Sequence, residues 1–426
     1  MGLRGGALAL LLLLFVHGGQ RAAEAGGDAF VRVQGTRFVQ DGKPFFANGF
    51  NAYWLMTFGA DPARRGKVTS ALSQAAGAGL SVARTWAFSD GGGGGGSALQ
   101  YSPGRYNENT FQGLDFVLSE ARKHGIKMIL SLVNNYDSFG GRKQYVQWAR
   151  ERGQTIGSDD EFFTNPFVKG IYKNHIKAVL TRVNTITGVA YKDDPTIMAW
   201  ELMNEPRCQS DVSGHAIQSW ITEMAAHVKS IDGNHLLEAG LEGFYGASSA
   251  RRSANPSGYQ VGTDFIANNR APGIDFATVH SYPDQWLGGL DAQAQLRFLG
   301  AWLDAHIADA RAVLRKPLLV AEFGESRHDP GYSGGQRDAV FGTVYARVYD
   351  SARAGGPAAG ALFWQLLAEG MDSYGDGYEV VLPQAPSTAG VIATQSRRLQ
   401  GLARAFVRAR KAHQGKAGKG AKGGGN

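Results

Sequence analysis

One cysteine, Cys208, stands in 426 residues, so no internal disulfide can form and the fold must rest on its core. Zinc-ligand spacings are absent as well, and no His and Asn partners can be assigned to Cys208 as a nucleophile, so a part-buried thiol is the expectation. Past the first residues, no apolar run is long enough to cross a bilayer. No G-x-G-x-x-G follows the first strand-like run, and the glycine run Gly91 to Gly96 lacks the Lys-Ser/Thr ending of a phosphate loop, so it reads as a surface loop. H-E-x-x-H is missing, and so is any RNA-binding aromatic motif. No N-x-S/T acceptor survives either, since Pro256 occupies the middle of "NPS" at Asn255, and no N-glycan is expected.

What charge there is lies unevenly. The formal net charge is +7, which by itself would fit a nucleic-acid binder. Much of the excess sits in "RARKAHQGKAGKGAKGGGN", Arg408 to Asn426, which holds no acidic residue. Residues 411–426 therefore read as a disordered basic tail, suited to weak contact with an anionic matrix or simply to solubility. At the other end, "MGLRGG" precedes the short apolar "ALALLLLLFV" and then small residues. Residues 1–27 read as a cleaved secretory signal, with the cut between about residues 19 and 28. The expectation is a secreted monomer, extracellular or in a cell wall, with no membrane and no nucleic-acid partner.

Between these ends, residues 28–410 alternate strand-like and helix-like runs. The strand candidates are "FFANGFN" (Phe45 to Asn51), "SVARTWAF" (Ser81 to Phe88), "KMILSLVN" (Lys127 to Asn134), "TIMAWEL" (Thr196 to Leu202), "HLLEAG" (His235 to Gly240), "IDFATVHSY" (Ile274 to Tyr282), "PLLVAEFG" (Pro317 to Gly324) and "AAGALFWQL" (Ala358 to Leu366). Helical spacing marks the stretches near 66–78, 111–125, 165–184, 215–230, 296–313, 336–354 and 396–411. Eight strands alternating with helices, without a Gly/Pro-rich linker between halves, predict one (β/α)₈ barrel in the α/β class. An open doubly wound sheet is the alternative.

In such a barrel, function gathers where strands end at their C-terminal side. Arg84 and Trp86 lie in the second strand, Asn204 and Glu205 follow the fourth, His280 and Tyr282 end the sixth, Glu322 ends the seventh and Trp364 the eighth. Trp286 lies further out in the same loop as Tyr282. Two carboxylates in an aromatic cleft suit glycosidic cleavage: one protonates the leaving oxygen, the other works from the opposite side of the sugar ring. A gap of about 5 to 5.5 Å gives retention and about 6.5 to 9.5 Å inversion. A metal held by His280 and the two glutamates is the competing reading, disfavoured by the Arg84 cation beside it. Glu201, Glu238, Glu242 and Glu325 read as bystanders, lacking the N-E-P context or the lip position.

Those motifs, "WELMNEPRC", "TVHSYPDQW", "VAEFGES" and "ALFWQL", with "VARTWAF" and "FQGLDFVLSEARKHGIKMILSLVNNYDSFGG", resemble the plant endo-β-1,4-mannanases of glycoside hydrolase family 5, from roughly Phe30 to Arg410. N-E-P alone marks only the wider clan of retaining barrel glycosidases. The resemblance implies hydrolysis of internal bonds in mannan, glucomannan or galactomannan, with no cofactor and no required metal. It implies Glu205 as acid/base, Glu322 as nucleophile, Asn204 on the 2-hydroxyl, Arg84 and Tyr282 steadying the nucleophile, His280 lining the site and Trp364 as the sugar platform. Trp86 is core or sugar wall, and Trp286 is a distal stacking candidate. Those roles require Glu205 to hold a proton while Glu322 stays ionised. A β-1,4-glucanase of the same fold and a noncatalytic wall-binding protein remain as alternatives. The six glycines and the basic tail depart from the family pattern without removing a catalytic group.

Overall fold

Eight apolar runs fold as strands because each is covered on both faces. They are Ala47–Asn51, Val82–Trp86, Lys127–Ser131, Ile197–Glu201, Leu236–Glu238, Ala277–Ser281, Leu318–Phe323 and Ala358–Phe363, and every residue in them is buried. The computed structural model describes residues 29–92 and 97–420, the last ten as backbone. The expected leader, Gly93 to Gly96 and residues 421–426 lie outside the described residues. The strands pair in parallel and in chain order, and the eighth returns to the first. Between the fifth and sixth the ladder gives way to separate bonds, Asp275 N–H to the Leu237 carbonyl at 2.8 Å and His280 N–H to that of Glu242 at 2.9 Å. This is the single (β/α)₈ barrel that the alternation predicts.

The helices sit where the spacing puts them, with ends set by local chemistry. The Asn107 side chain caps Glu108–Lys123, accepting from the amides of Asn109 and Thr110, and the chain leaves that helix through Gly125 at φ +67°. Asn165 caps Pro166–Leu180, whose proline opens the first turn. Gly113 lets this outer layer close up: a Cβ there would lie 2.4 Å from the carbonyl of Met56 in the short helix Leu55–Ala60.

Two elements escaped the sequence reading. Residues Arg32–Gln34, Arg37–Gln40 and Lys43–Phe45 form an antiparallel meander across the N-terminal end of the barrel. Its second turn is the pair Asp41-Gly42, at φ +51° and +70°, as a two-residue hairpin requires. The meander seals the barrel floor, with Phe38 fully buried and its ring edge-to-face on Phe276 at 5.1 Å. Inside the long connection after the third strand, Gly141–Arg150 is a helix whose Tyr145, Val146, Trp148 and Ala149 face the core. The last helix, Pro386–Gly420, runs ten residues beyond the boundary drawn at Arg410.

Glu325, just past the seventh strand, is wholly buried, and neither of its carboxylate oxygens has a protein hydrogen bond. Burial, with Asp284 and Asp329 nearby, pushes it from its ordinary 4.5 up to about 8. Between those values the folded chain holds a proton that the unfolded chain has lost, so stability falls as pH rises through the window. Glu325→Gln removes that dependence. Relative to the parent it should gain roughly 1–3 kcal/mol between pH 5 and pH 8. Thermal melts of both proteins at the two pH values check this, and a difference that stays constant with pH would reject it.

Candidate active site

Arg84 organises the C-terminal end of the barrel. Only 1% exposed, it directs Nε and Nη2 to the two oxygens of Glu201 at 2.6 and 2.7 Å, and Nη1 to Oε1 of Glu322 at 2.6 Å. Nη1 also reaches Oδ1 of Asn51 at 2.9 Å, and Nη2 reaches Oδ1 of Asn204 at 2.7 Å. A planar fork suits this because its donors point several ways at once. The other oxygen of Glu322 accepts from the Tyr282 hydroxyl at 2.7 Å. Asn204 is fixed in turn, its Nδ2 donating to Oδ1 of Asn134 at 3.0 Å.

Glu205 leaves the fourth strand at φ +51°, a left-handed conformation that costs a non-glycine residue on the order of 1–2 kcal/mol. Its N–H is tied to the Gly240 carbonyl at 3.0 Å. Gly240 has φ +84°, and a Cβ on it would lie 1.6 Å from the Met203 carbonyl. His280 Nδ1 meets Oε1 of Glu205 at 2.6 Å and stands 3.6 Å from Oε2 of Glu322. One oxygen from each glutamate and a nitrogen of His280 all lie within 4.8 Å of one another. These are the donors of the metal reading. Each is already engaged, and the Arg84 guanidinium on Glu322 opposes a second cation beside it.

The charge pattern differs from the expectation. Burial pushes Glu205 upward, but the hydrogen bond and charge of His280, with Arg207 and Tyr136, outweigh it and hold the carboxyl below its usual range. Burial pushes Glu322 above its usual range against the charges of His280 and Arg84. His280 is itself raised, because the charges of Glu322 and Glu205 overcome its burial. These opposite shifts favour the proton on His280 over Glu205. The three groups titrate as one coupled set.

Glu205, Glu322, Asn204, Tyr282, Trp86, Trp286 and Trp364 all line one cavity of about 540 Å³. Arg84 and His280 lie beneath it, touching the carboxylates and not the cavity. Trp364 is half-buried, its ring parallel to Tyr53 within 17° at 6.2 Å and its Nε1 donating to Oδ2 of Asp376 at 2.6 Å. Trp86 stacks on Phe88 and leans on Trp364, so it is both core and wall. Trp286 shows the cavity little more than an edge, because Phe244, Phe298 and Trp302 pack around it. Two supposed bystanders belong to the site. Glu201 is the counter-ion of Arg84. Glu242 lines the cavity, pairs with Arg207 at 2.5 Å, and is pushed up to about 7 by burial and by the charge of Glu205. Arg207, Tyr136 and Tyr53 were missed, although Arg207 directly follows "NEP".

The model of the glycoside hydrolase family 5 β-mannosidase-like family matches residues 28–372. The chain belongs to glycoside hydrolase family 5. It is 73% identical to mannan endo-1,4-beta-mannosidase 1 of Oryza sativa subsp. japonica, over 98% of this chain and 97% of that one. It is 63% identical to mannan endo-1,4-beta-mannosidase 7 of Arabidopsis thaliana, over 92% and 89%. Among solved structures, the endo-1,4-beta-mannanase of Rhizomucor miehei superposes with a TM-score of 0.73 at 31% identity, covering 88% of this chain and 100% of that one. The endo-beta-1,4-mannanase of Thermotoga petrophila gives 0.71 at 31%, covering 84% and 77%.

Arg84→Lys keeps the charge but loses the fork. Turnover should fall by about 10² as Glu322 and Asn204 lose their orientation. Arg84→Ala, which leaves Glu201 buried and uncompensated, should cost about 3–5 kcal/mol of stability. Steady-state kinetics and thermal melts of the two variants measure these effects. A lysine variant with parental turnover would remove Arg84 from its positioning role.

Proposed function

We propose that the cleft cleaves internal β-1,4-mannosidic bonds by double displacement with retention, Glu322 acting as nucleophile and Glu205 as acid/base. The chain is a family 5 endo-β-1,4-mannanase acting on mannan and glucomannan, and galactomannan extends the same reading. The observation that supports retention is the approach of one oxygen of each carboxylate to within 4.8 Å, on the side of the short separation of retaining enzymes and not the wide one of inverting enzymes.

In the first step Oε2 or Oε1 of Glu322 attacks the anomeric carbon while Glu205 gives a proton to the departing oxygen. The 2.6 Å contact lets His280 supply that proton to Glu205 as substrate enters and water leaves. Arg84 and Tyr282 hold Glu322 in line and favour its ionised form at the moment of attack. Once the glycosyl ester forms, the negative charge of Glu322 is gone. Glu205 is then a carboxylate, able to take a proton from the incoming water. Asn204 faces the cavity where the 2-hydroxyl of the attacked sugar would lie, and Trp364 offers its ring as the platform. The apolar leader supports export to the extracellular space or a cell wall, where the enzyme works as a monomer. Among the described residues no helix is long and apolar enough to cross a membrane.

The two glutamates should fail differently when removed. Glu322→Ala forms no glycosyl-enzyme from any substrate. Glu205→Ala, given an activated aryl mannoside, still forms it, and added azide then releases β-mannosyl azide, because two inversions preserve configuration. Proton resonance assigns the anomer. An α-azide, or labelling of Glu205 by a mechanism-based fluorosugar, would show the roles reversed.

A further inference from the structure

We propose that Glu238 is a positioning residue: as a neutral acid it donates the proton on its Oε1 to the carboxylate of Glu201, and so keeps Arg84 aimed at Glu322. This rests on the reading of Glu322 as nucleophile given above. Glu201 ends the fourth strand and Glu238 the fifth, and the two are partners in the parallel ladder. Partners in register project to the same side of the sheet, here the barrel interior, where neither carboxyl group is exposed. They stand within hydrogen-bonding reach of each other. Two carboxylates can share a hydrogen bond only with a proton between them.

The donors around the pair decide where that proton lies. A guanidinium has five N–H groups, and the contacts of Arg84 account for all of them: Nε to Glu201, Nη1 to Glu322 and Asn51, and Nη2 to Glu201 and Asn204. None is left for Glu238. Its Oε2 accepts from the Gly240 N–H. The Thr278 hydroxyl stands 3.3 Å from the same oxygen, but its single hydrogen has a nearer acceptor in the Leu241 carbonyl at 3.1 Å. Oε1 receives no donor from the protein. An ionised oxygen buried there would lose its hydration without compensation, whereas a protonated one becomes a donor facing Glu201.

Charge balance points the same way. The charged groups bearing on Glu238 are Glu201 and Arg84; the sixth strand contributes the Thr278 hydroxyl, while its His280 meets Glu205 and Glu322 instead. Burial and the charge of Glu201 push Glu238 well above the usual carboxylate range. Glu201, against its own burial, is held down to about 2 by Arg84 and by the bond from Glu238. With the proton in place, Glu201 offers Arg84 one negative charge and two fixed oxygens. Without it, two adjacent anions compete for one guanidinium, and the fork is drawn away from Glu322 and Asn204. Glu238 lines no part of the cleft, so its effect on the chemistry runs through Glu201 and Arg84.

Glu238→Gln and Glu238→Leu separate the proton from the shape. Gln keeps an oxygen for Gly240 and an amide hydrogen for Glu201, so kcat and KM on mannohexaose should stay within about twofold of the parent's. Leu fills the space with no donor, and kcat should fall at least about tenfold with KM little changed, because Glu322 loses its orientation while the sugar contacts remain. Infrared spectra at neutral pH read the proton itself: the parent should show the carbonyl stretch of a protonated carboxylic acid that the Gln variant lacks. As pH rises and that band vanishes, the parent's kcat should fall relative to that of the Gln variant, a comparison that does not depend on the Leu variant folding. A Gln variant that loses turnover tenfold or does not fold, a Leu variant with the parent's kcat, identical acid bands in parent and Gln variant, or a band that vanishes with no relative fall in kcat would each overturn the proposal. Absence of mannohexaose cleavage by the parent would instead count against the activity proposed above, and the infrared difference would still decide whether Glu238 holds the proton.

Discussion

A guanidinium buried in the middle of the second strand is the constraint on which the C-terminal end of the barrel depends. Arg84 cannot lose its proton, so every element that touches it must bring an acceptor. Glu201 from the fourth strand, Glu322 from the seventh, Asn51 from the first and Asn204 from the loop after the fourth all do so. Glu322 is thus positioned by a network that also compensates a buried charge. The compensation stops there, for Glu238 beside Glu201 is pushed well above the usual carboxylate range by burial and by Glu201 itself. A third buried anion would have no cation left to face.

Glu205 lies outside this network and is held differently. Arg84 does not touch Glu205, whose side chain is fixed by His280 and whose charge is moderated by Arg207 and Tyr136. This separation suits the proposed reaction, in which Glu322 stays ionised until it bonds to the sugar while Glu205 gives and regains a proton. Groups sharing a single arginine would be driven together. Here one carboxylate is tied to a permanent cation, and the other to an imidazole that can give its proton away.

Much of this was legible in the residues. Strands buried on both faces read as continuous apolar runs, so all eight barrel strands could be placed, and rim positions then followed from where each run ended. The meander was not read, since "RVQGTRFVQDGKPF" mixes exposed and half-buried positions in runs of three or four residues. Its "DG" turn was the available signal. Glu201 and Glu242 were set aside because sequence gives the distance of a carboxylate from a motif and not the cation it faces. Arg84 and Arg207, their partners, are 117 and 35 residues away. The direction of the shifts at Glu205 and Glu322 was hidden for the same reason, being decided by which of the two carboxylates His280 sits against.

The strain at Glu205 explains why residues far from the chemistry are as restricted as those within it. Holding a glutamate at positive φ requires its neighbours to over-determine the turn. Asn204 N–H bonds to the Val133 carbonyl and Glu205 N–H to the Gly240 carbonyl, so the segments leaving the third and fifth strands grip the turn from either side. Gly240 can approach only because it lacks a side chain: any Cβ would displace the Met203 carbonyl and with it the register of the turn. The glycine that ends "HLLEAG" touches no sugar and carries no proton. It nonetheless sets where the Glu205 carboxylate stands relative to Glu322, and with it the separation on which the proposed chemistry depends.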